Sequence, residues 1–350
     1  MENIVRKKIK SLNTILALLI VILHANATSF LPKNGISMKF AKKFFYLINS
    51  ITDIAVPIFF FLSAFLFWRF TTNIWETYRH KILKRGRSIL IPYFLWGILW
   101  FIAFFIVRLI LPNGKELVSE FITDLSVSSK IQGLLLRNYD PPIWFLRTLF
   151  ILILISPVLY WFGKKFKHGW LICLLLMITN CIIMPKYSTP MFWSPAFMFG
   201  IYLAQHEDQI INKQTSNSLL ISFSTKSGQR ILVMVFSFLC ISTLFFQHDS
   251  FEYYIYRNLG SLVFLLFFIF NDTISKINFL GTRTFIIFCM HYPIVRTILQ
   301  LSFKIFPVNY FTVAFVWVSA VTITILLIII LCKLLQKICP QLYKILNGGR

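Results

Sequence analysis

Two histidines stand in largely apolar segments of the sequence, and they are its strongest candidates for chemistry. His24 follows SLNTILALLIVIL, and His291 follows GTRTFIIFCM. An ionisable side chain at membrane depth costs a few kcal/mol on insertion scales, so it usually serves a reaction or a transport pathway. We predict that His24 is a general base, since an imidazole takes up a proton near neutral pH. The alternative is a neutral imidazole that is hydrogen-bonded inside a helix bundle.

An acidic residue, Asp53, lies in the next apolar segment, SITDIAVPIFFFLSAFLF. A short connection makes the first two spans antiparallel neighbours, so we predict that this carboxylate meets His24 and orients its imidazole. The alternative places Asp53 at the level of the lipid headgroups, near the start of its helix, where an acid complements the helix dipole.

Later apolar segments contribute further polar groups. Arg147 follows Trp144 in the fourth span, and Arg296 follows His291 in the ninth, where we expect the helix to break at Pro293. These side chains would line a basic cavity together with His24. Guanidinium groups in such a cavity suit a carboxylate, a phosphate or a developing oxyanion.

The remaining basic residues fall nearer the ends of the spans. Arg108 and Arg257 are predicted to extend towards the headgroups. Lys84, Arg85 and Arg87 precede an IPY sequence and are predicted to bind the phosphates of a nucleotide-like donor. The alternative for these three is a topology signal that contacts anionic lipid headgroups.

The composition indicates an integral membrane protein. Of the 350 residues, 57% are hydrophobic and 13% charged, whereas soluble domains contain about 25% charged residues. The net charge of +23 arises mostly between the apolar runs, which indicates membrane topology and contact with lipid rather than with nucleic acid. No grouping of side chains has the spacing of metal ligands, so we predict neither a metal nor a permanently bound cofactor.

Apolar runs long enough to span a bilayer recur along the whole chain. They predict an all-α, polytopic helix bundle that forms a single domain over residues 1–350. About ten spans are expected, near residues 12–30, 46–68, 89–111, 143–162, 169–185, 191–205, 231–247, 254–271, 284–303 and 311–335. The fifth and sixth are short enough to form a re-entrant pair. Most dense basic clusters lie on the side of the N-terminus, which predicts that both termini are cytoplasmic and that the protein lies in the cell membrane.

Several separated motifs resemble those of the acyltransferase 3 family, bacterial membrane acyltransferases that modify cell-surface glycans. Val56 to Phe65 reads VPIFFFLSAF, which resembles a family motif with Ala64 in place of glycine. KRGRSILIPY contains the matching basic pair, Lys84 and Arg87. WFLRTLFILILISP and LGTRTFIIFCMHYPIV resemble the family's fourth and late segments.

The first span keeps the family histidine, His24, but has Asn13 where an arginine usually stands eleven residues earlier. The resemblance implies an O-acyltransferase with acyl-CoA as the donor, acetyl or succinyl as the acyl group and a glycan or lipid-linked sugar as the acceptor. In that case His24, Asp53 and His291 would be catalytic.

We predict that Trp144, Arg147 and Arg296 bind the substrate. Lys84, Arg85 and Arg87 are predicted to bind the donor, together with Asn13, which stands at the position of the family arginine. Membrane lipids and glycan-synthesis machinery would be the partners.

Two other functions remain open. The same cavity in a polysaccharide or lipid-linked sugar translocator would carry its substrate without reacting with it. Asn13 also suits an enzyme that has lost its activity and keeps a scaffolding role.

Overall fold

The protein is described by a computed structural model that covers residues 2–31, 36–110, 141–165, 169–207, 222–271 and 276–349. Over these residues the structure is helical and contains no strand. The α-helices, in chain order, are α1 (Glu2–His24), α2 (Ile36–Asp53), α3 (Ala55–Trp68), α4 (Ile74–Arg85), α5 (Ile91–Ile110), α6 (Trp144–Lys165), α7 (Trp170–Ile183), α8 (Pro190–Gln205), α9 (Lys226–Ser242), α10 (Phe251–Phe270), α11 (Thr284–Ile305), α12 (Tyr310–Ile338) and α13 (Pro340–Leu346).

Within the described ranges, eight helical segments are long and apolar enough to cross a membrane. They are Arg6–Phe30, Lys39–Trp68, Ile74–Ile110, Trp144–Lys165, Lys226–Phe245, Phe251–Phe270, Gly281–Ile305 and Tyr310–Ile338. The predicted fifth and sixth spans correspond to the shorter helices α7 and α8. The prediction of an all-α, multi-pass membrane protein is confirmed. The re-entrant arrangement of α7 and α8 and the cytoplasmic termini stay predictions.

The contacts between helices divide the chain into two compact units whose segments alternate along the sequence. Unit 1 consists of Met1–Ile20, Tyr46–Leu83 and Ile151–Gly281. Unit 2 consists of Val21–Phe45, Lys84–Phe150 and Thr282–Arg350.

In unit 1, helices α3 and α8 pack closely because small residues face one another. A Cβ atom added at Gly200 would lie 2.2 Å from the carbonyl oxygen of Phe61 and 2.9 Å from the Cβ of Ala64. Small residues at such a crossing let two helix backbones approach, which is how helices commonly associate in membranes. The ring of Phe60 stacks on Trp193 of α8, with 5.2 Å between the ring centroids.

In unit 2, the chain after His24 packs against α11 and α12. Their shared core consists of Ala25, Ala27, Leu31, Ala41, Phe45, Val295, Leu299, Val313, Val316 and Ala320. The C-terminal helix α13 is held to α5 by the indole of Trp96, which donates to the carbonyl oxygen of Leu346 over 3.1 Å.

A π-helical turn, Gly86–Leu90, joins α4 to α5. Pro92 follows this turn, and it has no N–H to donate to the carbonyl of Ser88 four residues earlier. That carbonyl faces Gly348, where an added Cβ would lie 2.7 Å from the oxygen and where φ is +68°. The basic residues of this segment are therefore carried on an irregular turn, a feature that is frequent at functional sites.

The close contact of α3 with α8 predicts that Gly200→Ala destabilises the protein. The added methyl group must push the two helices apart, and overpacking of this kind costs about 1–3 kcal/mol. Gly86→Ala is the matched control, since an added Cβ there meets nothing within 4 Å. Thermal unfolding in detergent should show a lower Tm for Gly200→Ala. Equal Tm values for the two variants would contradict the packing described.

Candidate functional site

The two candidate histidines form a hydrogen-bonded pair in unit 2. Nε2 of His291 lies 3.0 Å from Nδ1 of His24, and the two ring centroids are 5.0 Å apart. His24 is the last residue of α1 and is half-buried, whereas His291 is fully buried within α11. The ring of Tyr292 meets His24 edge-on at 5.1 Å.

The backbone of α11 determines where the protons of this pair lie. Nδ1 of His291 is 3.0 Å from the carbonyl oxygen of Ile287 and 2.8 Å from that of Phe288. A carbonyl oxygen only accepts, so Nδ1 of His291 must carry the proton. In a neutral imidazole Nε2 is then an acceptor, and it receives the Nδ1–H of His24. The lone pair of neutral His24 is consequently on Nε2, the atom that can take up a proton.

Helix α11 continues through Pro293 as a regular helix from Thr284 to Ile305, so our prediction of a break at this proline is wrong. A proline has no N–H to donate to the carbonyl four residues before it, and here that carbonyl belongs to Cys289. The indole of Trp100 in α5 donates to this oxygen over 3.0 Å. The helix survives because a side chain replaces the missing backbone donor.

Arg296 fixes the segment that follows His24. Its Nη1 donates to the carbonyl oxygen of Asn26 over 2.7 Å, and its Nη2 donates to Oγ of Ser29 over 2.6 Å. The guanidinium also lies over the ring of Phe30, with 4.2 Å between its Cζ and the ring centroid. The structure therefore places Arg296 beside the end of α1, where it holds the backbone after the histidine.

Trp144 and Arg147 belong to the same unit as the histidine pair. They lie on the first turn of α6, and both are half-buried. Between them in the sequence, Phe145 packs edge-on against Phe288, with 5.5 Å between the ring centroids. Phe288 precedes His291 by one helical turn, so this contact brings the start of α6 to the part of α11 that carries the histidine.

Asp53 has other partners than the one predicted. Its Oδ2 accepts hydrogen bonds from Nη2 of Arg257 (3.0 Å), from the hydroxyl of Tyr253 (3.0 Å) and from Nε2 of His248 (3.1 Å). The prediction that Asp53 orients His24 is therefore wrong. A buried guanidinium carries a full charge and needs a counter-ion, so it binds the carboxylate more strongly than a neutral imidazole would.

Arg257 is 2% exposed and does not extend to the headgroups as predicted. Among the residues that the structure describes, four aromatic rings lie within 6 Å of its Cζ, those of Tyr187 (5.0 Å), Tyr253 (5.0 Å), Phe192 (5.6 Å) and Trp193 (5.9 Å). Their π faces, together with Asp53, stabilise a cation that has lost its water. Our prediction failed because it considered only the position of the arginine in its span.

His248 lies in the connection before α10, and sequence analysis missed it. Its Nε2 bonds to Asp53, and its Nδ1 lies 3.4 Å from Oδ1 of Asp249. The hydrogen bond to Asp53 raises the pKa of His248 above its ordinary value, against the opposing effect of burial. The available signal was the sequence HDS directly before a predicted helix.

The predicted donor-binding residues lie at the irregular turn between α4 and α5. Lys84 and Arg85 end α4, and Arg87 lies within the π-helical turn. The side chains of Lys84 and Arg87 are exposed, and that of Arg85 is half-buried. Asn13 lies on α1, within unit 1. No group of three or more potential metal ligands occurs among the described residues.

The ion pair of Arg257 with Asp53 predicts that Asp53→Asn lowers the free energy of unfolding by about 3–5 kcal/mol, because the variant leaves a buried charge without its counter-ion. Asp249→Asn is the control, since its side chain is fully exposed and the change should stay within about 0.5 kcal/mol. Equilibrium unfolding in mixed micelles measures both. Equal stabilities of the two variants would show that Asp53 does not compensate Arg257.

Comparison with known proteins supports the resemblance found in the motifs. A family model described as an acyltransferase domain, that of the acyltransferase 3 family, matches residues 7–333. No significant match occurs among curated proteins or among solved structures. Since the matched region covers nearly the whole chain, including both histidines, the basic turn and all eight candidate spans except Arg6 and the last residues of α12, the chain belongs to the acyltransferase 3 family.

Proposed function

We propose that the protein is a membrane O-acyltransferase that transfers an acyl group from acyl-CoA to a hydroxyl of a cell-surface or exopolysaccharide sugar. The observation that carries the proposal is the His24–His291 pair, whose hydrogen bonds put the lone pair of His24 on Nε2. Membership of an acyltransferase family supports the reaction type. The identities of the donor and the acceptor and the roles of the residues are part of this proposal.

In the proposed reaction, Nε2 of His24 accepts the proton of the sugar hydroxyl while the oxygen attacks the thioester carbonyl. The resulting tetrahedral intermediate collapses with cleavage of the carbon–sulfur bond. His24 returns its proton to the departing thiolate, so that an acyl ester and free coenzyme A are the products. General base catalysis of this kind contributes about 10²–10⁴-fold to a rate.

His291 supports this cycle as a positioning residue. When His24 gains a proton, its Nδ1–H remains donated to Nε2 of His291, and the hydrogen bond becomes a charge-assisted one. The backbone carbonyls of Ile287 and Phe288 keep His291 in the tautomer that accepts this bond. Asp53 has no part in the proposed mechanism, because its carboxylate pairs with Arg257.

The basic turn is proposed to bind the donor. Lys84 and Arg87 are exposed, and with Arg85 they present three cations over four residues, which suits the phosphates of coenzyme A. Trp144 and Arg147 are proposed to bind the acceptor or the developing oxyanion. Arg296 is proposed to shape the site by holding the backbone at Asn26.

The histidine pair predicts unequal losses of transfer activity. We expect His24→Ala to lose about 10²–10⁴-fold in kcat. His291→Leu removes one hydrogen bond to a charged group, worth about 1.5–3 kcal/mol, and should lose about 10- to 100-fold. The measurement follows radiolabelled acetyl-CoA and succinyl-CoA in nanodiscs with a cell-envelope acceptor.

His206→Ala is the matched control for these variants, since Nδ1 of His206 bonds to the carbonyl of Tyr202 within unit 1. This variant should retain wild-type activity. Activity of His24→Ala equal to that of wild type would refute the mechanism. If folded wild-type protein turned over neither donor, the translocator would become the better account.

A further inference from the structure

A cavity of about 200 Å³ lies in unit 1 beside the Asp53–Arg257 ion pair, and the proposed mechanism does not use it. It opens among the segment after α7, the connection before α10 and the first turns of α10, and Arg257 forms part of its lining. At about 30 Å³ for each water molecule of the liquid, this space equals six to seven waters. It is smaller than the pockets of about 300–1,000 Å³ that hold drug-sized ligands, and it suits a single sugar unit.

Arg257, a lining residue of the cavity, carries a buried donor that lacks an acceptor. Arg257 uses Nη2 for Asp53, but its Nε has no hydrogen-bond partner among the described residues, although the side chain is 3% exposed. Buried polar atoms are satisfied in the great majority of cases, and an unsatisfied donor is destabilising. A ligand oxygen beside the guanidinium would supply the missing acceptor.

The charges around the cavity favour an anionic ligand. Asp53 compensates Arg257, which leaves the exposed ammonium of Lys186 and the imidazole of His248 in the lining. The one acidic residue in the lining, Asp249, has a fully exposed side chain that faces water. Basic side chains therefore outnumber the one carboxylate in the lining, and a carboxylate or phosphate group is the complementary ligand group.

Part of the lining of the cavity is aromatic, and the guanidinium of Arg257 lies over the rings of Tyr187 and Phe192. Tyr187, Phe192 and Tyr254 line the cavity, and Phe192 meets the other two rings at centroid distances of 5.4 and 4.8 Å. The C–H face of a pyranose ring packs well against such side chains, while its hydroxyl groups need polar partners. Ligand sites commonly combine an apolar wall with a few placed polar groups in this way.

We propose that this cavity binds one acidic sugar unit, with its anionic group on Lys186 and Arg257 and its ring against Tyr187 and Phe192. The expectation that the ligand is a glycan unit rests on the proposed function, and the site would make that function selective for acidic glycans. The anionic group and the size of the unit follow from the cavity itself.

The test is binding of free sugars to the purified full-length protein in nanodiscs, measured by calorimetry with no acyl donor present. Glucuronate should bind at least about tenfold more tightly than glucose, which has the same ring without the charge. Glucose 6-phosphate distinguishes a phosphate from a carboxylate as the preferred group. Because no acyl donor is present, this assay tests the sugar site separately from the transfer reaction. Sugar binding can fail while acyl transfer succeeds, and acyl transfer can fail while sugar binding succeeds.

Lys186 is the residue to vary, since it is exposed and its replacement leaves the buried ion pair intact. Lys186→Gln should weaken glucuronate binding by about five- to tenfold, and Lys186→Arg should restore it. Lys42→Gln removes an equally exposed lysine of unit 2 and should change nothing. Equal affinities for glucose and glucuronate, no binding of either acidic sugar, or full affinity of Lys186→Gln would each overturn the proposal.

Discussion

The chemistry of the histidine pair depends on hydrogen bonds that form within a single helix. The imidazole of His291 donates through Nδ1 to the carbonyls of Ile287 and Phe288 in its own helix. Because His291 is fully buried, these bonds hold the proton on that nitrogen, since a buried N–H needs an acceptor. Nε2 of His291 can then only accept from His24. The protonation pattern of the proposed base is thus set by the backbone, where other enzymes use a carboxylate.

The two units treat their buried ionisable groups in opposite ways. Unit 2 keeps two imidazoles that bond to one another, and one of them, His291, also bonds to the backbone. Unit 1 buries a full ion pair and surrounds its cation with aromatic rings. A buried ion pair keeps both of its groups charged, whereas a pair of hydrogen-bonded imidazoles can exchange protons. This difference supports the placement of the acid–base chemistry in unit 2 and of a binding role in unit 1.

The helices were predictable from the sequence because an apolar run in a membrane must satisfy its backbone internally. Each predicted span coincides with helical structure, although the second covers the end of α2 and all of α3. Helix α1 begins ten residues earlier than predicted, at Glu2, because its basic residues also favour helix. The candidate histidines followed from the energetic penalty of an ionisable group at that depth. The hydrogen-bond partners of these histidines could not be predicted, because packing and charge over the whole chain determine which helices come into contact.

Three features of the sites could not be predicted from the sequence. The predicted pairing of His24 with Asp53 was wrong because the true partner of Asp53 is Arg257. Arg257 lies some 200 positions away in the sequence, so no local pattern indicates the contact. The role of Trp100 was not predicted. Pro293 alone indicates that the carbonyl of Cys289 lacks its backbone donor, but not that the indole of Trp100 replaces this donor. His248 was missed because it lies outside the apolar runs.

The tautomeric state of the two histidines can be measured by NMR of protein labelled with ¹⁵N-histidine in nanodiscs, and it tests the proposed base without an activity assay. The chain has six histidines, so His24→Ala and His291→Leu suffice to assign the two signals of interest. We predict that neutral His24 and neutral His291 both carry their proton on Nδ1, with the lone pair of each on Nε2. A proton on Nε2 of neutral His24 would contradict it, since that nitrogen could not then accept a proton from a sugar hydroxyl.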